Sequence, residues 1–320
     1  MQSLLKRFGW TMLALGVSAH ASCGFEQTAD WKKCLPDDSG VVYFVDVHAV
    51  RKSAIVQKLI RDKTLPADIF DFAWSEKQIA STDKDRRELI LKILKVSRQF
   101  ALAGPESDWE EKGAVFFLIG DYGRDIIADA FQGLSKKSGA KLKTAAEKVG
   151  NHDLYTMSDT EGALFVAIVD NHLLVASDNK QKVEDALAKA DGRNTVAISK
   201  GLSDMLARVP AKDSIWMASG LSDRSGAMEI GGFLASLRVA DDVKVTFVLR
   251  LATEDTAEAW ALRGMKPWIE CAEAIAPGLA VVSEMKNVKI DPDGPLITLT
   301  GVLTAECVTN RLFKASPKTR

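Results

Sequence analysis

Apolar runs alternate along the chain with segments in which apolar residues recur at helical spacing. Two β-branched and aromatic runs, 41–47 and 114–119, predict buried strands. Three shorter runs predict a meander, with a tight turn at Asp170 and Asn171: 153–157, 163–169 and 172–176. Helical spacing predicts helices around Ile55 to Ile60 and over 85–99, 125–136 and 179–190.

The second half of the chain repeats this order of predicted strands and helices. A Pro-led turn enters an apolar strand at 210–217 as it does at 36–43, and the run 243–249 corresponds to the strand at 114–119. A helix at 255–260, a hairpin formed by 288–290 and 296–299, and a helix over 304–314 complete the second copy. The pattern predicts an α+β fold of two related halves, each a mainly antiparallel sheet with helices packed on it. The first repeat would span 22–198, with a charged helical insertion at about 64–112, and the second 199–320.

Three local features carry a family resemblance. They are the Pro-x-x-Ser turns before strands, the apolar hairpin followed by a capped helix, and the Glu-Asp-Thr-Ala-Glu-Ala start of a helix at 254–259. In these the chain resembles exported Gram-negative bacterial proteins of uncharacterised envelope domain families. The resemblance implies an α+β fold with antiparallel sheets and no assigned activity.

The N-terminus has the three parts of a secretory signal. Lys6 and Arg7 precede an apolar stretch over 8–19, and Ala19-His20-Ala21 has the small residues of a cleavage site. We therefore expect residues 1–21 to be a signal peptide, with the mature protein periplasmic or secreted. Ala21-Ser22-Cys23 also matches the end of a lipobox, which leaves open a lipid anchor at Cys23; His20 stands where a lipobox has an aliphatic residue.

The even number of cysteines in a chain with an export signal predicts two disulfides. The four are Cys23, Cys34, Cys271 and Cys307. Three pairings are open, and proximity along the sequence favours Cys23 with Cys34 and Cys271 with Cys307. No Cys-x-x-Cys occurs and no histidine neighbours a cysteine at ligand spacing, so we expect no metal site.

Composition and charge exclude several classes of protein. The 320 residues carry 42 Lys+Arg against 43 Asp+Glu, a net charge of -1, and 47% are hydrophobic, as in soluble globular proteins. A nucleic-acid binder would normally be basic. After the signal no apolar run is long enough for a transmembrane helix. The absence of Gly-x-Gly-x-x-Gly and Gly-Lys motifs removes the usual phosphate loops, and we expect no cofactor.

Two sets of residues match the residue types of catalytic motifs but lack the sequence context that those motifs have. Ser138-x-x-Lys141 followed by Ser177-Asp178-Asn179 has the order of penicillin-recognising enzymes, but a later Lys-Thr-Gly is missing and the second motif reads as a helix cap. Asp46, His48 and Ser53 are the residue types of a catalytic triad. The competing interpretation is a polar strand end followed by a helix cap at Ser53, and no nucleophile elbow supports catalysis.

The remaining candidates are isolated polar and aromatic residues. The segment 291–294 begins like a calcium loop but has no later acidic ligands, and therefore predicts a hairpin turn. His152 and His172 stand apart from each other and from every cysteine, which argues against zinc. Trp74 and Trp109 lie in the charged insertion and are candidate partner contacts, against the alternative of a small satellite core; the other tryptophans predict core packing.

These observations together predict an exported periplasmic or envelope protein that acts by binding a protein or peptide and has no recognisable catalytic machinery. A hydrolase with a dispersed active site and a carrier of an apolar small molecule are the alternatives. A polar cleft with convergent ionisable groups would indicate an enzyme, and a large apolar cavity a carrier. An exposed apolar patch would indicate a binding protein.

Overall fold

A computed structural model describes residues 30–62, 96–106, 113–122, 143–159, 162–220, 230–264, 266, 268 and 283–308. Its strands are β1 (Val41–Asp46), β2 (Ser97–Gly104), β3 (Val115–Gly120), β4 (Lys143–Val149), β5 (His152–Asp159), β6 (Gly162–Ile168), β7 (Leu173–Ser177), β8 (Ile215–Ser219), β9 (Ile230–Val239), β10 (Val243–Leu251), β11 (Lys286–Asp293) and β12 (Leu296–Leu303). Its helices are α1 (Val47–Lys52), α2 (Ala54–Arg61), α3 (Lys180–Ala190), α4 (Lys200–Leu206), α5 (Glu254–Leu262) and α6 (Ala305–Val308), with a 3-10 turn at Trp31–Cys34.

The predicted fold class is wrong. The twelve strands belong to one antiparallel sheet with few helices, rather than to two halves that each carry helices on a sheet of their own. Part of the expected helical insertion is the strand β2, which pairs with β1 on one side and β3 on the other. Local helix propensity in Ser97–Gly104 is overridden because two neighbouring strands satisfy its backbone and bury most of its side chains.

The chain divides into two compact units, unit 1 with residues 1–51 and 68–198 and unit 2 with 52–67 and 199–320. The strand order in unit 1 is β1-β2-β3-β7-β6-β5-β4. The aromatic ring of Trp31 stacks on Phe44 and tilts against Phe117, on the face of the sheet that also packs the buried side chains of α3.

Two buried lysines of α3 hold the segment that leads into β1. Lys182 forms an ion pair with Asp38, and Lys189 forms one with Asp37. The Nζ atom of Lys189 also donates to the carbonyl oxygens of Leu35 and Val196, each at 2.7 Å. One ammonium group therefore ties the end of α3 both to the preceding turn and to the chain that follows the helix.

In unit 2 the strand order is β8-β9-β10-β12-β11. One face of β12 is buried, since its burial alternates along the strand, and α5 packs against β10, β11 and β12. The helix α4 begins at Ser199, whose hydroxyl accepts from the amide of Leu202 at 3.3 Å. Gly220 follows β8 so closely against the start of α4 that a Cβ there would collide with the backbone nitrogen of Leu202.

Within the described ranges, no helix combines the length and apolar character needed to cross a membrane. The predicted helix over 125–136 and residues 85–95 of the predicted helix over 85–99 lie outside those ranges. The boundaries predicted for the signal peptide and the repeats stay predictions.

Candidate functional site

An apolar face of the unit 1 sheet is built by cross-strand register. Phe116 on β3 pairs with Ala176 on β7, Ala176 with Val166 on β6, and Val166 with Tyr155 on β5. Because paired residues share a face, these side chains form one continuous row. A second row runs through Leu118, Leu174 and Ile168.

The centre of this apolar face is buried and its surroundings are only partly so. The buried members are Tyr122, Met157, Val166, Leu174 and Ala176. The apolar side chains that pack against them and keep some exposure are Val96, Phe116, Leu118, Tyr155, Leu164 and Ile168. These six side chains are half-buried, so part of the apolar surface of this face is accessible to solvent.

A buried hydroxyl pair lies at one end of the apolar face. The oxygens of Ser97 and Tyr122 are 2.5 Å apart, and both residues are fully buried. Burial raises the pKa of the Tyr122 hydroxyl, and the bond to Ser97 only partly opposes this. Tyr122 is therefore a neutral hydrogen-bonding group within an apolar cluster.

Two residues of the candidate triad, Asp46 and Ser53, make hydrogen bonds with a structural role. One carboxylate oxygen of Asp46 accepts from the amide of Ala49 at 2.7 Å, and the other accepts from the side chain of Gln99 at 2.8 Å. The hydroxyl of Ser53 accepts from the amide of Val56 as the N-cap of α2, which confirms the predicted cap. Asp46 and Ser53 thus both make hydrogen bonds that hold the local backbone and the pairing of β1 with β2.

The Ser177-Asp178-Asn179 motif is a helix cap, as predicted. Asn179 accepts from the amide of Gln181 at 3.0 Å at the start of α3, and Ser177 donates to the carbonyl of Ala114 at 2.7 Å. Asp178 is half-buried, and burial raises the pKa of its carboxyl group. The motif's other half, Ser138 and Lys141, lies outside the described residues.

His152 and Asp191 form the most enclosed ionisable pair that we find in the described part of unit 1. Nε2 of His152 lies 2.7 Å from Oδ1 of Asp191, and Nδ1 lies 3.2 Å from the carbonyl oxygen of Ile168. Arg193 donates to the other oxygen of Asp191 at 2.9 Å. Burial would raise the pKa of Asp191, but the bonds from His152 and Arg193 outweigh it and lower that pKa below its ordinary value.

The second histidine belongs to a more open cluster. Nδ1 of His172 lies 3.2 Å from the carbonyl oxygen of Gly120 and 3.3 Å from Asp121, and Arg98 donates to Asp121 at 2.8 Å. Neither histidine belongs to a metal-binding group, and no cluster of three or more candidate ligands occurs among the residues that the structure describes.

The described cysteines leave the disulfide prediction open. Cys34 is buried at the end of the 3-10 turn, and burial raises the pKa of its thiol to about 11. The thiol of Cys307 donates to Oε2 of Glu284 at 2.8 Å. Cys23 and Cys271, their predicted partners, lie outside the described residues. Both pairings therefore stay predictions.

The candidate contact residues Trp74 and Trp109 also lie outside the described part of the chain. The prediction of core packing for the other tryptophans is confirmed where they are described, since each of them is buried: Trp31, Trp216, Trp260 and Trp268. The predicted hairpin of β11 and β12 is present, but its turn is at 294–295 rather than 291–294, because Asp291, Pro292 and Asp293 pair with β12; Gly294 has a φ of 57°.

The strand edges of the two units differ in a way that the sequence analysis missed. β4 pairs with β5 alone among the described strands, and its residues 145–148 are all exposed. β11 ends the strand order of unit 2 but contains Pro292 and an irregular register near Asn287. A proline and a bulge protect an edge against further pairing, and we find neither in β4. The dipeptide Gly150-Asn151 is a two-residue hairpin signal that could have revealed β4.

Comparison with known proteins adds no family. No family model matches the chain, and neither does a curated protein. Crystal form IV of TP0453 is similar in structure with a TM-score of 0.47 and 11% identity, covering 88% of this chain and 98% of that chain. Crystal form I of TP0453 gives a TM-score of 0.47 and 12% identity, covering 90% and 98%. At these values the likeness assigns neither a family nor a function.

Proposed function

We propose that the protein is an exported accessory protein of the cell envelope that acts by binding a protein or peptide. The observation that carries the proposal is the apolar face of unit 1, where large apolar side chains such as Leu118, Leu164 and Ile168 keep some exposure around a buried centre. Apolar surface of this kind is removed from water when a partner covers it, and that removal favours association.

The engagement of the polar candidates supports binding rather than hydrolysis. Asp46 and Ser53 cap helices, and Ser177 and Asn179 fasten the start of α3. A nucleophile and its base need to face a reacting group, whereas these side chains bond to backbone groups and, for Asp46, also to the Gln99 side chain. Export itself is supported by the signal-like residues 1–21.

The experiment is site-specific photo-crosslinking in cells. A photoreactive residue at position 164, on the apolar face, is expected to give one defined protein adduct. The same residue at Lys244, an exposed position on β10 of unit 2, is the matched control and is expected to give none. Equal labelling at both positions would contradict the proposal.

Two further readouts separate the alternatives. An apolar small molecule that co-purifies with the protein, together with no adduct from position 164, would favour a carrier. Intact-mass measurement of the mature protein tests export, with Ser22 expected at the N-terminus. A diacylglycerol-modified Cys23 would show instead that the protein is anchored as a lipoprotein.

A further inference from the structure

The backbone of β4 has a defined set of outward groups. Val149 pairs with His152 across the two residues Gly150 and Asn151, and Gly150 has a φ of 61°. In a two-residue hairpin the residues that flank the loop form a hydrogen-bonded pair, and bonded and non-bonded pairs then alternate. The amides and carbonyls of residues 145 and 147 therefore bond to β5, whereas those of residues 144, 146 and 148 point away from it.

The exposed charges of this edge are already paired within the chain. Glu147 forms an ion pair with Lys180 at 2.7 Å, and Lys148 forms one with Asp153 at 2.8 Å. Charged side chains on an edge normally discourage a second strand, and pairing within the chain weakens that effect. Ala145 and Ala146 are small and exposed, so they offer little steric hindrance to a neighbouring backbone.

The order of residues in β4 makes the strand complementary to itself. If two copies meet antiparallel about Ala146, all seven residues of β4 overlap, Lys148 stands opposite Thr144, and Glu147 stands opposite Ala145. No like charges oppose each other in this register. A slip that centres the pair on residue 147 or 148 would set Glu147 or Lys148 against its own copy, which is unfavourable.

From this geometry we infer that the protein self-associates through β4, with the β4 strands of two copies paired antiparallel about Ala146. The outward groups of residues 144, 146 and 148 then form about six hydrogen bonds between the copies. The interface is isologous, since the same strand contributes on both sides. The inference is independent of the apolar face and goes beyond the proposed function.

The test is sedimentation velocity of the purified protein over a dilution series, with two substitutions at Ala146. Ala146→Pro removes an outward amide and leaves the bonds to β5 in place, as Pro292 does on β11, so the dimer is expected to weaken at least tenfold. Ala146→Val keeps the amide and is expected to dimerise. Circular dichroism checks that both variants fold.

A pair of charge variants at Ala145 tests the register and does not depend on proline. Ala145→Lys sets a lysine opposite Glu147 of the second copy and is expected to strengthen the dimer, whereas Ala145→Glu sets two acids opposite each other and is expected to weaken it. Weakening by both variants would show a register centred on Ala145 and overturn the proposed one. A protein that stays monomeric at all concentrations, or a dimer unaffected by Ala146→Pro, would overturn self-association through β4.

Discussion

The imidazole of His152 joins the start of β5 to the residue that ends α3, through a 2.7 Å contact with Asp191. Its other nitrogen faces the carbonyl oxygen of Ile168, so both of its hydrogen-bonding partners are acceptors. The pKa of the Asp191 carboxyl group is lowered, so its acceptor is a carboxylate and the contact is a charge-assisted link between a hairpin and a helix.

Asp191→Asn is expected to lower the free energy of unfolding by about 1 to 3 kcal/mol at neutral pH. The reason is that the charged carboxylate that bonds to His152 and Arg193 is replaced by a neutral amide. The pKa of Asp191 is lowered in the folded protein, so its contribution is present above the ordinary carboxyl pKa. That contribution disappears as pH falls through the lowered folded value. Urea unfolding of both proteins between neutral and acid pH measures the difference, and a constant difference at all pH values would contradict the assignment.

Lys189→Ala is expected to destabilise the protein by about 3 kcal/mol, because the carbonyl oxygen of buried Leu35 loses its ammonium donor and Asp37 its ion pair. Asp37→Asn is the matched variant. The Asp37 side chain is partly exposed and the Lys189 ammonium keeps its two carbonyl acceptors, so this variant should lose less stability than Lys189→Ala. Chemical denaturation compares the two, and an equal loss from both would show that the carbonyl bonds contribute nothing.

Removal of the Tyr122 hydroxyl by Tyr122→Phe leaves the hydroxyl of fully buried Ser97 without that bond, and should destabilise the protein by about 1 to 3 kcal/mol. Adding Ser97→Ala to that variant removes the hydroxyl that has lost this bond. The double variant is therefore expected to be more stable than the sum of the two single losses predicts. A double-mutant cycle by urea unfolding gives the coupling, and strict additivity would argue against the bond.

Gly220→Ala is expected to be strongly destabilising, by more than about 2 kcal/mol, because the new Cβ would collide with the amide nitrogen of Leu202 and lie 2.8 Å from the carbonyl carbon of Gly201. Gly231→Ala is the control in the same unit, since its Cβ would meet its nearest atom at 3.8 Å. Thermal melts compare the two variants. Similar melting temperatures for both would mean that α4 shifts away from β8 without penalty.

The sequence predicted the strands whose residues favour strand structure by themselves. β1 and β3 are β-branched and aromatic, and both were expected; β2, β4 and β9 were missed. The missed strands contain alanine, glycine, leucine or charged residues whose local preference is weak or helical, and pairing between strands decides their structure. For the same reason the expectation of two halves with helices packed on sheets was wrong.

The candidate site was less accessible to sequence reasoning. The apolar face joins residues on β3, β5, β6 and β7, and only the register of those strands brings Phe116, Ala176 and Val166 into one row. No spacing along the chain encodes that row. The capping roles of Ser53 and Asn179, by contrast, depend on residues three or two positions away, and the sequence predicted both.

The side chain of Asp46 helps to fix the register between β1 and β2. It stands opposite Gln99 in the pairing of β1 with β2 and bonds to it, while its other oxygen caps the turn at Ala49. A slip of one residue would turn the side chains of β1 to the opposite face and also pull Asp46 away from Gln99. Misaligned pairing would thus lose a polar bond as well as apolar burial, so the bond between Asp46 and Gln99 favours the native register.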